Sequence, residues 1–264
     1  MQNVKAKKHL GQHFLKDESI AAQIADSVLM QGYNQVLEVG PGMGVLTKYL
    51  LQKEGIVLTA AEIDTESVEY LMQHADKFLG LKVIQGDVLK MPLSVISTEG
   101  LAIVGNFPYN ISSQILFMAY ENRGQVKEVT GMFQKEVAKR IASPPGSREY
   151  GILSVFLQAF YTIEYLFTVD EWVFQPPPKV KSGVIRLVRN NVETLPCDEK
   201  AFYRLVKMAF NQRRKMLGNA IRPLLTSPLP DWPELTKRAE QLSVEQFVSL
   251  TNKIEALRSK SVAQ

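Results

Sequence analysis

The sequence predicts an open, mostly parallel α/β sheet followed by a small all-helical domain. Three observations lead there. Four β-branched or aliphatic runs, at residues 35–39, 57–63, 82–85 and 101–105, alternate with amphipathic segments over the first half of the 264-residue chain. The first run ends in a glycine-rich turn, EVGPGMG, at 38–44. From Asp198 onward only helical spacing of apolar residues is found. Parallel strands need crossover helices, and residues 46–53, 66–78 and 112–120 have the apolar spacing to supply them. Ligands of such sheets bind in the crevice at the carboxyl ends of the strands, where the connecting loops converge.

Composition narrows the classes. Apolar residues make up 45% and charged residues 22%, the balance of a folded globular chain. Lys and Arg number 31 against 27 acidic residues, a net +4 that is only a mild bias toward polyanions. One Cys and three His are too few for an internal disulfide or a Cys/His zinc site, so no metal is expected. The basic N-terminus, MQNVKAKKHLGQHFLKD, lacks the apolar run and cleavage site of a secretory signal, and the expected location is the cytoplasm. The longest apolar stretch, 150–169, is interrupted by Gln158 and Glu164, which argues against a membrane span.

In the second half, SPPGS at 143–147 leads into a helix, a PPP run occupies 176–178, and a strand is expected over 183–188. The polar segment NNVETLPCD, 190–198, marks a domain boundary. The expected domains are therefore 1–190, carrying the chemistry, and 198–264, helical.

The glycine turn sits between a strand and a helix, where Gly40 and Gly42 let backbone approach a nucleotide-like ligand. Val45 stands where the dinucleotide fingerprint would put its third glycine, which disfavours NAD and a dehydrogenase. Glu62 closes the second strand and Asp87 the third, so both carboxylates should overlook the same crevice. One suits ribose hydroxyls and the other an adenine amino group, because ionised carboxylates only accept hydrogen bonds. Their charge also suits a sulfonium. Asp64 competes with Glu62 for the ribose role.

The most informative tetrapeptide is Asn106-Phe107-Pro108-Tyr109, after the fourth strand. An exocyclic adenine amine is a poor nucleophile because its lone pair is delocalised into the ring. The Asn106 side-chain oxygen and the Phe107 carbonyl can accept its two N–H bonds and draw the nitrogen toward tetrahedral geometry. Pro108 holds the turn rigid, and Tyr109 offers a face on which a splayed-out base stacks. Catalysis of this kind is mostly positioning.

These motifs, with HLGQHFL, AAEID, GNFPYNIS, FQPPPKVKSGVIRL and AFNQRRKML in the same order along nearly the whole chain, resemble the ribosomal RNA adenine dimethyltransferase family. The similarity is greatest to its bacterial small-subunit branch. The resemblance implies a Rossmann-like, class I methyltransferase fold using S-adenosyl-L-methionine, with a helical C-terminal domain. It implies transfer to N6 of two adjacent adenines near the 3′ end of 16S ribosomal RNA, the small ribosomal subunit as partner, a role in its biogenesis, and a monomer. It also implies cofactor contacts from His13 and Leu15 together with Gly40, Glu62, Asp87 and Asn106, and a base-stacking role for Phe174 opposite Tyr109. Two positions depart from the pattern: His13 stands where Asn is common, and Phe107 where Leu or Ile is usual. A large-subunit adenine methyltransferase and an assembly factor that chiefly binds immature RNA are the alternatives.

Lys7 and Lys8, in a basic arm with Lys5 and His9, form one candidate RNA surface. Arg213, Arg214 and Lys215 form another, expected inside a helix whose apolar face holds Phe202, Leu205, Val206, Ala209 and Phe210. Lys135, Lys139 and Arg140 add to the positive charge.

Overall fold

The computed structural model describes residues 4–225 and 228–262 and divides into two compact units. The first comprises the chain up to Lys139 and Thr162–Arg189; the second comprises Arg140–Tyr161 and the chain from Asn190.

The first unit is built on seven strands: β2 (Gln35–Val39), β3 (Val57–Glu62), β4 (Lys82–Gln85), β5 (Leu101–Asn106), β6 (Val126–Gln134), β7 (Tyr161–Val169) and β9 (Ser182–Arg189). Their order is β4-β3-β2-β5-β6-β9-β7. Pairings from β4 through β6 are parallel, and β9 joins β6 antiparallel. The central strands are buried on both faces: Val36, Leu37, Ala102, Ile103 and Val104 are inaccessible to solvent, as continuous apolar runs in a parallel sheet require. The order reverses beside β2, where chain connections leave in opposite directions and a crevice opens at the strand ends.

The crossover helices are shorter than the sequence spacing suggests. α2 (Thr47–Leu50) and α3 (Thr65–Gln73) replace the expected 46–53 and 66–78, the remainders being turns and a 3₁₀ segment. α3 is N-capped by Asp64, whose carboxylate accepts the Glu66 N–H at 3.4 Å, and α1 (Glu18–Asp26) is capped by Asp17. α4 (Ser112–Glu121) follows β5 as expected, and α5 (Lys135–Ala142) follows β6.

A two-stranded ribbon lies outside the main sheet. β1 (Phe14–Leu15) pairs antiparallel with β8 (Phe174–Gln175), Leu15 opposite Phe174. The Lys16 N–H donates to the Val173 carbonyl at 2.8 Å and extends the pairing.

In the second unit, α6 (Ile152–Gln158), α7 (Glu199–Asn211), α8 (Leu217–Ala220) and α9 (Val244–Val262) surround an aromatic core. Phe156 stacks on Tyr203 at 4.9 Å and meets Phe202 at 6.1 Å, while Phe210 meets Phe247 at 6.1 Å. These rings correct the expected division at one point: Arg140–Tyr161 belongs with the C-terminal helices, not with the sheet. The α7 face read from the sequence is the buried one, with Phe202, Leu205, Val206, Ala209 and Phe210 all inside. No helix among the described residues is long and apolar enough to cross a membrane.

Candidate functional site

The crevice at the ends of β2, β3, β4 and β5 has a volume of about 280 Å³, at the lower edge of the range of small-ligand sites. It is lined by Gly40, Glu62, Ile63, Asp87, Pro108 and Gln114, among others. A smaller neighbouring cavity shares Gly40, Glu62, Ile63 and Pro108 with it and adds Gln12, His13, Phe14, Gly42 and Asn106. A third, toward the interior, is lined by Leu15, Glu38 and Asn106. Every cofactor-site residue named from the sequence lies on one of the three.

The glycine turn is left-handed where the reading requires it. Gly40 has φ +68° and Gly42 φ +56°. A Cβ on Gly42 would stand 2.9 Å from two ring carbons of Phe14, so glycine is needed both for backbone conformation and for packing of the N-terminal segment. The Gly42 N–H donates to Glu62 Oε2 at 3.1 Å, and the Asp64 N–H donates to Glu62 Oε1 at 2.9 Å. Burial pushes the Glu62 carboxyl above the ordinary carboxylate range, with backbone donors opposing it. Asp87 caps the turn after β4 by accepting the Leu89 N–H at 3.0 Å.

Asp64 is removed as a competitor to Glu62. It pairs with Lys7, accepts from Gln12 Nε2 at 3.2 Å and from Ser67 Oγ at 3.1 Å, and caps α3. Despite partial burial, its pKa is lowered by the bonds from Lys7, Gln12 and Ser67. The role expected for Lys7 changes with it. Lys7 bonds Asp64 and lies 3.2 Å from Glu66, so it fastens the N-terminal segment to α3 and is not free for phosphate. Gln12, which sequence reading did not single out, completes this fastening: its Oε1 accepts the Lys7 N–H at 2.7 Å.

Asn106 Nδ2 donates to the His13 carbonyl at 2.9 Å. That bond settles the amide orientation, because a carbonyl only accepts, and it leaves Oδ1 for another donor. His13 is fixed in turn through Nδ1, whose proton goes to the Pro176 carbonyl at 2.8 Å, so Nε2 carries the lone pair in the neutral ring. The His13 ring lies 5.5 Å from that of Tyr109. His13 thus ties the glutamine-histidine segment to both the Asn106 loop and the proline run.

Phe107 is buried, its ring 4.7 Å from Phe133. It lies against the glycines of β5 and β6: a Cβ on Gly131 would approach the ring to 2.6 Å and the Gly105 carbonyl to 2.2 Å. This bare patch of backbone accommodates a ring where Leu or Ile is usual. Phe174 departs from expectation. At 1% exposure it packs in the core with Leu15, Val169 and Val184, whereas Tyr109 is half-buried; neither ring lines any of the three cavities. The β1–β8 ribbon holds it there, opposite Leu15.

Arg213, Arg214 and Lys215 lie beyond the helix, because α7 ends at Asn211 and Gln212 is its C-cap. Arg213 is held by the Arg148 carbonyl and lies 3.7 Å from Glu240; Arg214 and Lys215 are exposed. Lys8 is also exposed.

A family model described as "Ribosomal RNA adenine dimethylase" matches residues 3–256. A Flavobacterium johnsoniae protein is 58% identical over 258 residues, covering 97% of this chain and 98% of its own length. One from Cytophaga hutchinsonii is 57% identical over 256 residues, covering 96% and 98%. Both are named "Ribosomal RNA small subunit methyltransferase A". Among solved structures, a dimethyladenosine transferase from Plasmodium falciparum superposes with a TM-score of 0.75 at 24% identity, over 92% of this chain and 98% of that one. The 23S rRNA methyltransferase ErmE superposes with a TM-score of 0.69 at 24% identity, over 92% and 99%. Both share the fold.

Proposed function

Because the chain belongs to the ribosomal RNA adenine dimethylase family, we infer that it transfers methyl groups from S-adenosyl-L-methionine to N6 of adenine in small-subunit ribosomal RNA, yielding N6,N6-dimethyladenosine. Two adjacent adenines near the 3′ end of 16S RNA are the targets this reading assigns. The observation that carries it is the Asn106 amide: its N–H is committed to the His13 carbonyl, so Oδ1 is the acceptor at the cleft.

The residues fit the cofactor. Among the described residues lining the two outer cavities, the carboxylates are Glu62 and Asp87 and there is no Lys or Arg, a lining suited to a cation. Gly40 and Gly42 leave room for backbone approach, which a Cβ would fill. Glu62 would take the ribose hydroxyls and Asp87 the adenine amino group, with His13 and Leu15 closing the inner side. When bound, the cofactor supplies an electrophilic methyl on a sulfonium.

The protein's part is to present the nucleophile. Asn106 Oδ1 and the Phe107 carbonyl accept the two N–H bonds of the amine, which localises its lone pair. Pro108 fixes the turn between those acceptors, and Tyr109 stacks the flipped base. The methylated amine is acidic enough to release its proton to water, so no side chain is assigned as base. Lys8, Arg214 and Lys215 are the cations we assign to phosphate contact.

The test is transfer of labelled methyl to undermethylated small subunits, with nucleosides identified by mass spectrometry. Label in N6,N6-dimethyladenosine, abolished by Asn106→Ala, is the expected result. Label confined to large-subunit RNA would overturn the substrate, and label in neither would leave an RNA-binding assembly factor.

A further inference from the structure

The hydroxyl of Tyr109 is 2.6 Å from Oγ of Ser182, a side chain with no solvent exposure at the start of β9. Ser182 is itself immobilised. Its residue pairs with Gln134 in the antiparallel ladder between β6 and β9, and the next position is Gly183, where a Cβ would press on the Tyr165 ring and on Ala138. Nothing in the reaction outlined above uses Ser182.

Its place matters because of what Tyr109 must do. A phenol ring turns about two torsions and presents a usable face only when both are held. At Tyr109 one flank meets the His13 imidazole, at 5.5 Å between centroids and tilted by 33°. The far end of the ring is the hydroxyl, and Ser182 Oγ holds it. The near end follows the backbone of the loop that carries Asn106. Ring plane and amine acceptor are therefore referred to the same two strands, β5 through Asn106 and β9 through Ser182.

We propose that Ser182 is a positioning residue for methyl transfer, holding the far end of the Tyr109 ring so that, with His13 against one flank, the ring stacks the target base with its N6 amine at Asn106 Oδ1. The proposal rests on the reading of Tyr109 as the stacking residue. A base that rocks on a loose platform spends less time in line with the methyl, and a displacement of about 1 Å is enough to cost on the order of a hundredfold in rate. Loss of one anchor of two should cost less, about tenfold, and should fall on kcat, because the bond that is lost acts on the ring of Tyr109.

The experiment compares Ser182→Ala, Tyr109→Phe and the double variant in methyl transfer to small subunits. It adds two readouts: fluorescence of 2-aminopurine placed at the target position, and the ¹⁹F resonance of 3-fluorotyrosine at position 109. The expected result is a drop in kcat of about tenfold for each single variant, since each removes the same bond, and a double variant no slower than either. KM for RNA and Kd for S-adenosylmethionine should hold. Ser182→Ala should relieve quenching of 2-aminopurine and move the fluorotyrosine resonance, and Ser182→Thr, which keeps the hydroxyl, should restore both. Should the Thr methyl not fit, Tyr109→Phe still tests the bond without altering position 182.

Wild-type kcat in Ser182→Ala, or losses that multiply in the double variant, would overturn the proposal. The fluorotyrosine signal needs no turnover. An inactive wild-type protein would therefore refute the assigned reaction, while an unmoved resonance in Ser182→Ala would refute the anchor itself.

Discussion

Replacing Glu38 by Gln should change how stability depends on pH. Glu38 sits on β2, 1% exposed, with one oxygen accepting the Thr47 hydroxyl at 2.7 Å. Burial is the main cause that pushes its pKa up to about 8, and the charge of Glu62 adds to it, while the Thr47 bond opposes. A carboxyl whose folded pKa is raised is neutral in the native protein where it is already ionised in the unfolded chain. Its contribution to stability is thus complete below the unfolded pKa, near 4.5, and is lost as pH rises to about 8. At about 1.4 kcal/mol for each pH unit, the loss from pH 5 to pH 8 comes to about 4 kcal/mol.

Glutamine keeps an oxygen for the Thr47 hydroxyl and has no proton to lose. Urea unfolding followed by circular dichroism at pH 5, 6, 7 and 8 should then show wild type losing about 4 kcal/mol more than Glu38→Gln across the series. The gain of the variant over wild type should be greatest at pH 8. Parallel stability curves would refute the reasoning, since they would mean that Glu38 is ionised in the native state and that its burial does not exclude water.

Gly42→Ala should weaken S-adenosylmethionine binding in calorimetry while leaving the circular dichroism spectrum intact. A left-handed residue with a Cβ costs roughly 1–2 kcal/mol, and this Cβ also displaces Phe14 from the cavity wall. Phe107→Leu should leave methyl transfer near wild type, because the backbone carbonyl serves the amine. It should cost about 1–2 kcal/mol in denaturant unfolding, from the gap left beside Phe133 and Gly131. Arg214→Ala with Lys215→Ala should lower affinity for ribosomal RNA and reduce the slope of log K against log salt by about 1.4–1.8, in contrast to Lys7→Met, whose cation is committed to Asp64 and Glu66.

What sequence reading reached and what it missed divides along range of interaction. The glycine turn, the acidic strand ends and the Asn106 loop each declare themselves within a few residues, through left-handed glycines and β-branched runs that end in a polar group. Their convergence on one crevice follows from parallel topology. Partner choice does not declare itself locally. Lys7 reads as a candidate phosphate contact until Asp64 is found 57 positions away, and Phe174, a base platform by the family resemblance, is a core ring on a strand paired with Leu15. The polar run Asn211–Gln212–Arg213 permits either a continued helix or a turn, and the pull of Arg213 toward Arg148 and Glu240 accompanies the turn. Arg140–Tyr161 lies within the span 1–190 expected for the sheet domain, yet its Tyr150 and Phe156 rings find their partners on α7.

The β1–β8 ribbon also joins distant parts of the chain. His13 and Pro176 are 163 positions apart, and the amide of Asn106 takes its orientation from the residue at one end of that span. Closing a loop of that length costs entropy, although each doubling of a loop adds only about 0.6 kcal/mol. A chain cut after β6 would lack the strand that pairs with Phe14–Leu15. The orientation of Asn106 thus rests on an N-terminal segment that the proline run, far along the chain, holds in place.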